Sequence, residues 1–151
     1  MWQKKLPPFK RPSQERSRNM RAIRSARNLT TERRLLALLA KSGLRGWKVR
    51  PSKVPGTPDF VFPFQRVIVF CDGCFFHGCP KCGHVPRTNA AYWRAKIARN
   101  QRRDRRISRE LRSLGYSVLR IWECQLRDKS ASCLNRIRHR LNAASSASIA
   151  C

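Results

Sequence analysis

Positive charge is the feature that most restricts how this sequence can fold. The 151 residues include 34 Lys and Arg against 8 Asp and Glu, which gives a net charge of +26. Charge of this size repels itself and opposes a compact state unless an anionic partner neutralises it. The basic residues recur along the whole chain, so they do not form one tail on a neutral body. This distribution predicts a protein that binds a polyanion, and nucleic acid fits best.

A membrane surface is the competing polyanion, but the sequence offers no segment to insert into one. No apolar run approaches the ~20 residues that span a bilayer, and the longest candidate is Val67–Phe70 with its neighbours. The first residues carry charge without the apolar core of a secretory signal. We therefore expect no membrane partner and a cytosolic protein. Because thiols stay reduced in that compartment, the seven cysteines are not expected to form disulfides.

Length and local patterns predict one α/β domain between two tails. A chain of this length can bury a single ordinary core. Residues 1–15 are rich in proline and basic side chains and indicate a flexible basic arm. Residues 16–142 form the predicted domain, and residues 143–151 indicate a loose C-terminal tail.

Hydrophobic periodicity predicts helices at both ends of the domain and strands between them. The predicted elements are a short helix over 16–25, a helix from an N-cap at Thr30 or Thr31 to Lys41, strands over Trp47–Arg50, Asp59–Phe62 and Arg66–Phe70, a long helix over Asn89–Leu114, a strand over Ser117–Trp122, and one or two helices over Leu126–Leu141. The expected architecture is a mixed sheet flanked by helices.

Acidic residues are scarce, and three of them stand beside these predicted elements. Glu32 opens a helix, Asp59 follows Pro58 at the start of a strand, and Asp72 follows the end of the next strand. Magnesium takes one or two carboxylates, can activate a bound water, and stabilises charge on a scissile phosphate. With the basic charge, the three acids favour a metal-dependent nuclease. A helix-dipole role for Glu32 and turn roles for both aspartates stay open.

A histidine and three aromatic residues follow the second aspartate. His77, five residues after Asp72, could act as a general base for an attacking water. A zinc-ligand role and an ordinary loop position are the alternatives. Phe75, Phe76 and Trp93 sit among cationic residues and could wedge between base steps of a duplex, or could belong to the core.

The cysteines give the most specific signal. Cys74, Cys79 and Cys82 lie close together, the last two as a Cys-x₂-Cys pair. A structural zinc ion needs four tetrahedral ligands. Cys124 is the best candidate for the fourth, and His84 is a rival for Cys82 or Cys124. A redox-active pair would stand at a helix N-terminus, whereas prolines and a glycine make this segment a loop, so we predict structural zinc.

Longer motifs follow one another along the chain. They are Arg18-Asn-Met-Arg-Ala-Ile23, Pro58-Asp-Phe60, Phe70-Cys-Asp-Gly-Cys-Phe-Phe-His77, Tyr92-Trp-Arg-Ala-Lys-Ile97, Asn100 with Arg103-Asp-Arg105, and Val118-Leu-Arg-Ile-Trp-Glu-Cys124. Together they resemble the very-short-patch repair (Vsr) DNA mismatch endonucleases, from about Arg16 to Leu141. The resemblance implies a fold like that of type II restriction endonucleases, with a variant of their Pro-Asp…(Asp/Glu)-x-Lys site. It implies nicking of duplex DNA 5′ to the thymine of a T·G mismatch, the product of 5-methylcytosine deamination.

The resemblance also implies roles for residues at matching positions. Asp59 becomes the principal Mg²⁺ carboxylate, assisted by the backbone carbonyl of Cys71. His77 becomes the general base, with Glu32 supporting the site. Asp72 stays a catalytic candidate because of its own position after a strand. The implied DNA contacts are the aromatic wedge Phe75, Phe76 and Trp93, the opposite-groove residues Met20 and Ile23, and the mismatch-contacting residues Lys96 and Asn100. The implied Zn²⁺ ligands are Cys74, Cys79, Cys82 and Cys124.

The sequence departs from the family's pattern at particular points. Phe76 stands where a tryptophan is usual, and the lysine of the wider superfamily is absent, since Gly73 and Cys74 occupy its candidate positions. Spacing around Cys79 and Cys82 varies in the family.

The resemblance further implies a monomer acting on double-stranded DNA in the bacterial cytoplasm and associated with the nucleoid, with mismatch-repair proteins as candidate partners. Two alternatives are a non-catalytic nucleic-acid-binding zinc protein and a related nuclease with a different lesion specificity.

Overall fold

Helices and strands alternate along the part of the chain that the computed structural model describes, residues 5–11 and 13–149, with the side chains of residues 16, 17, 19–30 and 147–149 left out. The elements are α1 (Gln14–Lys41), β1 (Lys48–Val49), β2 (Phe60–Phe62), β3 (Val67–Asp72), α2 (Ala90–Ser113), β4 (Ser117–Trp122), α3 (Glu123–Asp128) and α4 (Ser130–Ile149). Among these helices, none has both the length and the apolar character needed to cross a membrane.

The four strands form one mixed sheet in the order β1-β2-β3-β4. The β1–β2 and β2–β3 pairs are antiparallel, whereas β3 and β4 are parallel. The first four residues of β3, Val67–Phe70, are all buried, as a continuously apolar strand between two helical layers requires. The mixed sheet with flanking helices confirms the predicted α/β class.

Alternation of side chains along the strands gives the sheet two buried faces. Phe60, Val67 and Leu119 pack in a core with residues of α1, α3 and α4. Ile68 and Val118 pack on the opposite face with residues of α2. The β3–β4 register then places polar residues on that second face: Phe70 pairs with Arg120, and Asp72 follows two residues later.

Helix boundaries differ from the predicted ones at both ends of the domain. One helix, α1, replaces the two predicted over 16–25 and up to Lys41, so Thr30 and Thr31 lie inside it rather than at its start. Because the segment between holds neither Gly nor Pro, nothing stops the helix.

The described parts of both terminal segments make regular backbone or side-chain hydrogen bonds. Helix α4 continues through Ile149 where a loose tail was expected. The hydroxyls of Ser145 and Ser146 donate to carbonyls one turn earlier, at 3.0 and 3.1 Å, and alanine favours the helix. In the predicted flexible arm, the backbone of Lys10 exchanges two hydrogen bonds with the side chain of Asn89.

Candidate active site and metal centre

A cleft of about 610 Å³ opens where β2 begins and β3 ends. These strands are antiparallel neighbours, so the start of one lies beside the end of the other. The cleft is lined by the predicted acids Glu32, Asp59 and Asp72 and by His77 and Asn100. Residues far apart in sequence are therefore brought to one surface.

Asp59 is a half-buried carboxylate that lies close to a second acid. Its Oδ2 accepts a hydrogen bond from the backbone N–H of Cys71 at 2.7 Å. Burial is the main cause that raises the pKa of Asp59 to about 6; the Cys71 hydrogen bond opposes this rise, and the Glu32 carboxylate contributes to it. Glu32 is itself ion-paired with Arg50. Two neighbouring carboxylates, one of which carries its charge unfavourably, are a donor set that a hard divalent cation would stabilise.

His77 is held by an acid that the sequence did not single out as functional. Its Nδ1 lies 2.5 Å from Oδ2 of Asp104 and 3.7 Å from Oδ1 of Asp72. Burial acts to raise the pKa of Asp104, but the His77 hydrogen bond and nearby cations lower it overall. With Nδ1–H donated to Asp104, Nε2 carries the lone pair that can accept a proton. This is the geometry of a general base with an orienting carboxylate.

Arg120 is the second residue that sequence reasoning missed. Its Nε and one terminal nitrogen each donate to an oxygen of Asp72 at 2.6 Å. The same terminal nitrogen lies 3.4 Å from Oδ1 of Asp104, and the guanidinium carbon stands 4.6 Å from the ring centre of Phe70. Asp72 is only 3% exposed, and both of its oxygens accept hydrogen bonds from Arg120. Arg120 thus satisfies a buried carboxylate that lies next to His77. The sequence held a signal for each missed residue. Asp104 is an acid among the buried positions of α2, and Arg120 lies two residues after Val118 in β4, on the same face of the strand.

The four predicted zinc ligands form one cluster. The sulfur atoms of Cys74, Cys79, Cys82 and Cys124 all lie within 4.8 Å of one another, and those of Cys79 and Cys124 are 3.8 Å apart. That separation exceeds a disulfide bond of about 2.05 Å and matches the edge, about 3.8 Å, of a tetrahedron with metal–sulfur bonds of about 2.3 Å. Cys82 completes the cluster, whereas His84 is not a member of it.

One thiol of this cluster is poised to ionise. Burial acts to raise the pKa of Cys79, but backbone N–H groups of Cys82 and Lys81 donate to its sulfur and lower the pKa to about 7. Because metals bind the thiolate, these donors favour a ligand state.

The predicted wedge residues touch one another. The ring of Phe75 lies 5.0 Å from the ring of Phe76 and 5.0 Å from that of Trp93. Trp93 is only 7% exposed, while both phenylalanines are half-buried. The Asn100 amide donates to the carbonyl of Phe76 at 2.8 Å, so in the free protein it holds the loop that carries the wedge.

The remaining predicted DNA contacts lie near or outside this region. Lys96 is half-buried on α2. Met20 and Ile23 belong to α1, but their side chains lie outside the described residues. Their roles at the DNA stay predictions.

Known proteins are similar in sequence to this chain over most of its length. The sequence pattern of the family described as DNA mismatch endonuclease Vsr matches residues 10–82. The DNA mismatch endonuclease Vsr of Escherichia coli (strain K12) is 43% identical over 116 residues, which cover 76% of this chain and 72% of that protein. The type II nicking enzyme V.NaeI of Lentzea aerocolonigenes is 39% identical over 136 residues, covering 82% of this chain and 77% of that enzyme. The type II nicking enzyme V.XorIIP of Xanthomonas oryzae pv. oryzae is 37% identical over 123 residues, or 80% and 89% of the two chains. On this identity and coverage, the chain belongs to the Vsr family of DNA mismatch endonucleases.

Proposed function

We propose that this protein is a magnesium-dependent endonuclease that nicks duplex DNA 5′ of the thymine in T·G mismatches arising from 5-methylcytosine deamination. Membership of the Vsr family supports a mismatch-directed endonuclease, and the nicking-enzyme relatives support the cutting of one strand. The observation that carries the chemistry is the shared cleft, where the Asp59 and Glu32 carboxylates and the His77–Asp104 pair form one lining.

The donor set of the cleft fits magnesium. Asp59 would hold the ion, with Glu32 beside it and the Cys71 carbonyl as the predicted further oxygen. Burial and the neighbouring Glu32 carboxylate raise the pKa of Asp59, and a bound cation would favour its charged form. A bound magnesium ion would lower the pKa of a coordinated water and stabilise charge on the phosphate.

The chain's own residues would supply positioning and proton transfer. His77 would take a proton from the attacking water at Nε2, because Nδ1 is engaged by Asp104. Arg50 and Arg103 line the same cleft and are about half exposed. Their charge would draw the DNA backbone towards the carboxylates.

Zinc at the four-cysteine cluster would act structurally. Three of its ligands, Cys74, Cys79 and Cys82, lie in one loop, and the fourth, Cys124, lies in the first turn of α3, directly after β4. The ion would therefore fasten the loop that carries His77 and the wedge to the end of the sheet. A closed four-ligand site leaves no open position for catalysis.

The finer features inferred from the family resemblance belong to the same proposal. The β3–β4 parallel pair, with Asp59 directly before β2 and Asp72 at the end of β3, is compatible with a restriction-endonuclease-like core. We further propose a monomer that acts in the bacterial cytoplasm at the nucleoid, with mismatch-repair proteins as candidate partners.

A nicking assay tests the proposal directly. Wild-type protein and Asp59→Asn would be incubated with an end-labelled duplex holding one T·G mismatch, with a matched C·G duplex in parallel, with and without Mg²⁺. One magnesium-dependent cut 5′ of the mismatched thymine, absent from the matched duplex and from Asp59→Asn, is the expected result. Binding without cutting in any condition would favour the non-catalytic alternative. Cutting of both duplexes would keep the nuclease and reject the mismatch specificity.

A further inference from the structure

Residues 5–11 precede α1 and lie before the first of the family motifs, which begins at Arg18. The family's sequence pattern starts at residue 10. Lys10 nevertheless makes a reciprocal pair of hydrogen bonds with Asn89: its N–H donates to the Asn89 side-chain oxygen at 3.0 Å, and its carbonyl accepts from the Asn89 amide at 2.9 Å. Asn89 stands directly before α2 in the left-handed conformation, with φ 57°, which asparagine tolerates better than most residues.

Phe9 fixes the same segment through its ring. The ring centre lies 4.7 Å from that of Tyr92 and 6.1 Å from that of Trp93, the latter in an edge-to-face arrangement. Both separations lie in the favourable range for aromatic pairs, about 4.5–7 Å. Trp93 in turn contacts Phe75 at 5.0 Å. The arm therefore joins the aromatic cluster, which we define as Phe9, Phe75, Phe76, Tyr92 and Trp93.

The docked arm brings cations to this cluster. Lys5, Lys10 and Arg11 are exposed, and within the part of the chain whose side chains are described, none of the three forms an ion pair. In a chain with a net charge of +26, such a segment is repelled by the rest of the protein. Two contacts that do not depend on net charge, the Phe9 ring and the Asn89 amide, oppose that repulsion. An anion bound beside Lys5, Lys10 and Arg11 would neutralise their charge and so relieve the repulsion between this segment and the rest of the protein.

We propose that residues 5–11 are a second DNA-contacting element, in which Phe9 and Asn89 hold the arm so that Lys5, Lys10 and Arg11 bind backbone phosphates of the duplex. The inference rests on the proposed function, because it takes duplex DNA as the anion. A segment that is ordered before binding loses less conformational freedom on binding than a free tail does. The arm thus acts as a preformed extension of the surface around the wedge.

The charge of the arm is tested by the salt dependence of DNA binding. Full-length wild-type protein is compared with the triple variant Lys5→Gln, Lys10→Gln, Arg11→Gln, on a duplex with one T·G mismatch and without Mg²⁺. The control triple Arg109→Gln, Arg112→Gln, Arg140→Gln removes the same charge from exposed positions that lie away from the cleft. The slope of log affinity against log salt is negative, and each lost phosphate contact reduces its magnitude by about 0.9. We therefore expect the arm triple to reduce the magnitude of the slope by up to about 2.7, well beyond the control. Equal slopes for the two triples would overturn the proposal, since net charge alone would then explain the effect.

The anchoring is tested by variants that leave the arm's charge intact. Asn89→Gly keeps the left-handed conformation but removes the amide, and Phe9→Ala removes the ring, whereas Phe9→Tyr keeps it. We expect Phe9→Ala with Asn89→Gly to reproduce most of the slope change of the arm triple, and Phe9→Tyr to behave as wild type. Circular dichroism shows whether each variant is folded. A wild-type slope in folded Phe9→Ala, Asn89→Gly protein would refute the anchored arm.

Nicking by wild-type protein separates this inference from the proposed function. If the wild type cuts the mismatched duplex but both triples show equal slopes, the arm proposal fails and the function stands. If the wild type binds but never cuts, and only the arm triple reduces the magnitude of the salt-dependence slope, the arm proposal stands and the catalytic function fails.

Discussion

Replacing Arg120 with Met should lower the melting temperature strongly, because the change leaves a buried carboxylate without its partner. Asp72 is 3% exposed, and both of its oxygens accept hydrogen bonds from Arg120 at 2.6 Å. Methionine keeps an unbranched apolar stem beside Phe70, so the loss falls mainly on the ion pair. Removing one partner of a buried pair costs about 3–5 kcal/mol. At roughly 2–4 °C per kcal/mol for a protein of this size, the melting temperature should fall by about 6–20 °C.

Two controls separate burial from the mere loss of an ion pair. In Asp72→Leu, Arg120→Met both charges are absent, so much of the lost stability should return. Arg127→Met breaks a pair with Asp128 that also uses two hydrogen bonds, at 2.7 and 3.1 Å. Both of those side chains are exposed, so this change should have little effect.

The measurement is thermal unfolding by calorimetry at neutral pH with zinc at saturation, so that metal loss does not mix with unfolding. Urea titration with the same variants gives the free energy of unfolding independently. An Arg120→Met melting temperature within about 2 °C of wild type would refute the reasoning. The same holds for a double variant that is no more stable than Arg120→Met alone.

Three other predictions concern the carboxylate, the base and the cysteine cluster. The folded pKa of Asp59 is raised from 3.8 to about 6, so the wild type without Mg²⁺ should lose up to about 3 kcal/mol of folding stability as pH rises from about 4 to about 6, at 1.36 kcal/mol per pKa unit. Asp59→Asn should not show this loss. Parallel stability–pH curves for the two proteins would contradict the assignment. Asp104→Asn should reduce the single-turnover nicking rate by roughly 10²–10⁴-fold, as loss of a well-oriented base does, and a wild-type rate would show that His77 needs no such partner. Cys124→Ser should reduce bound zinc, measured by metal analysis, together with the melting temperature, since metal binding contributes to folding; full zinc content would contradict the four-sulfur site.

Local patterns predicted most of the fold because the signals for a helix or a strand come from residues that are close together in sequence. The apolar run from Val67 to Phe70 indicated a strand, and hydrophobic periodicity indicated the long helix over Asn89–Leu114; both are present as β3 and α2. The predicted strand Ser117–Trp122 coincides with β4. The helix boundaries were predicted less well, since threonine at a possible cap does not stop a helix whose sequence holds neither Gly nor Pro.

The sequence by itself determined the scarce acids of the cleft and the candidate ligands of the cysteine cluster, and the structure decided for Cys82 over His84. Cysteine spacing is a local signal for a metal site, and carboxylates at strand ends are visible once the strands are known. Asp104 and Arg120 were decided only by tertiary structure. His77 and Asp104 are 27 residues apart and meet across the cleft, while Arg120 reaches Asp72 because the parallel β3–β4 register places Phe70 opposite Arg120. A side chain's partner depends on register and on which helix covers the sheet, and both of these are long-range properties that neither residue type nor local spacing encodes.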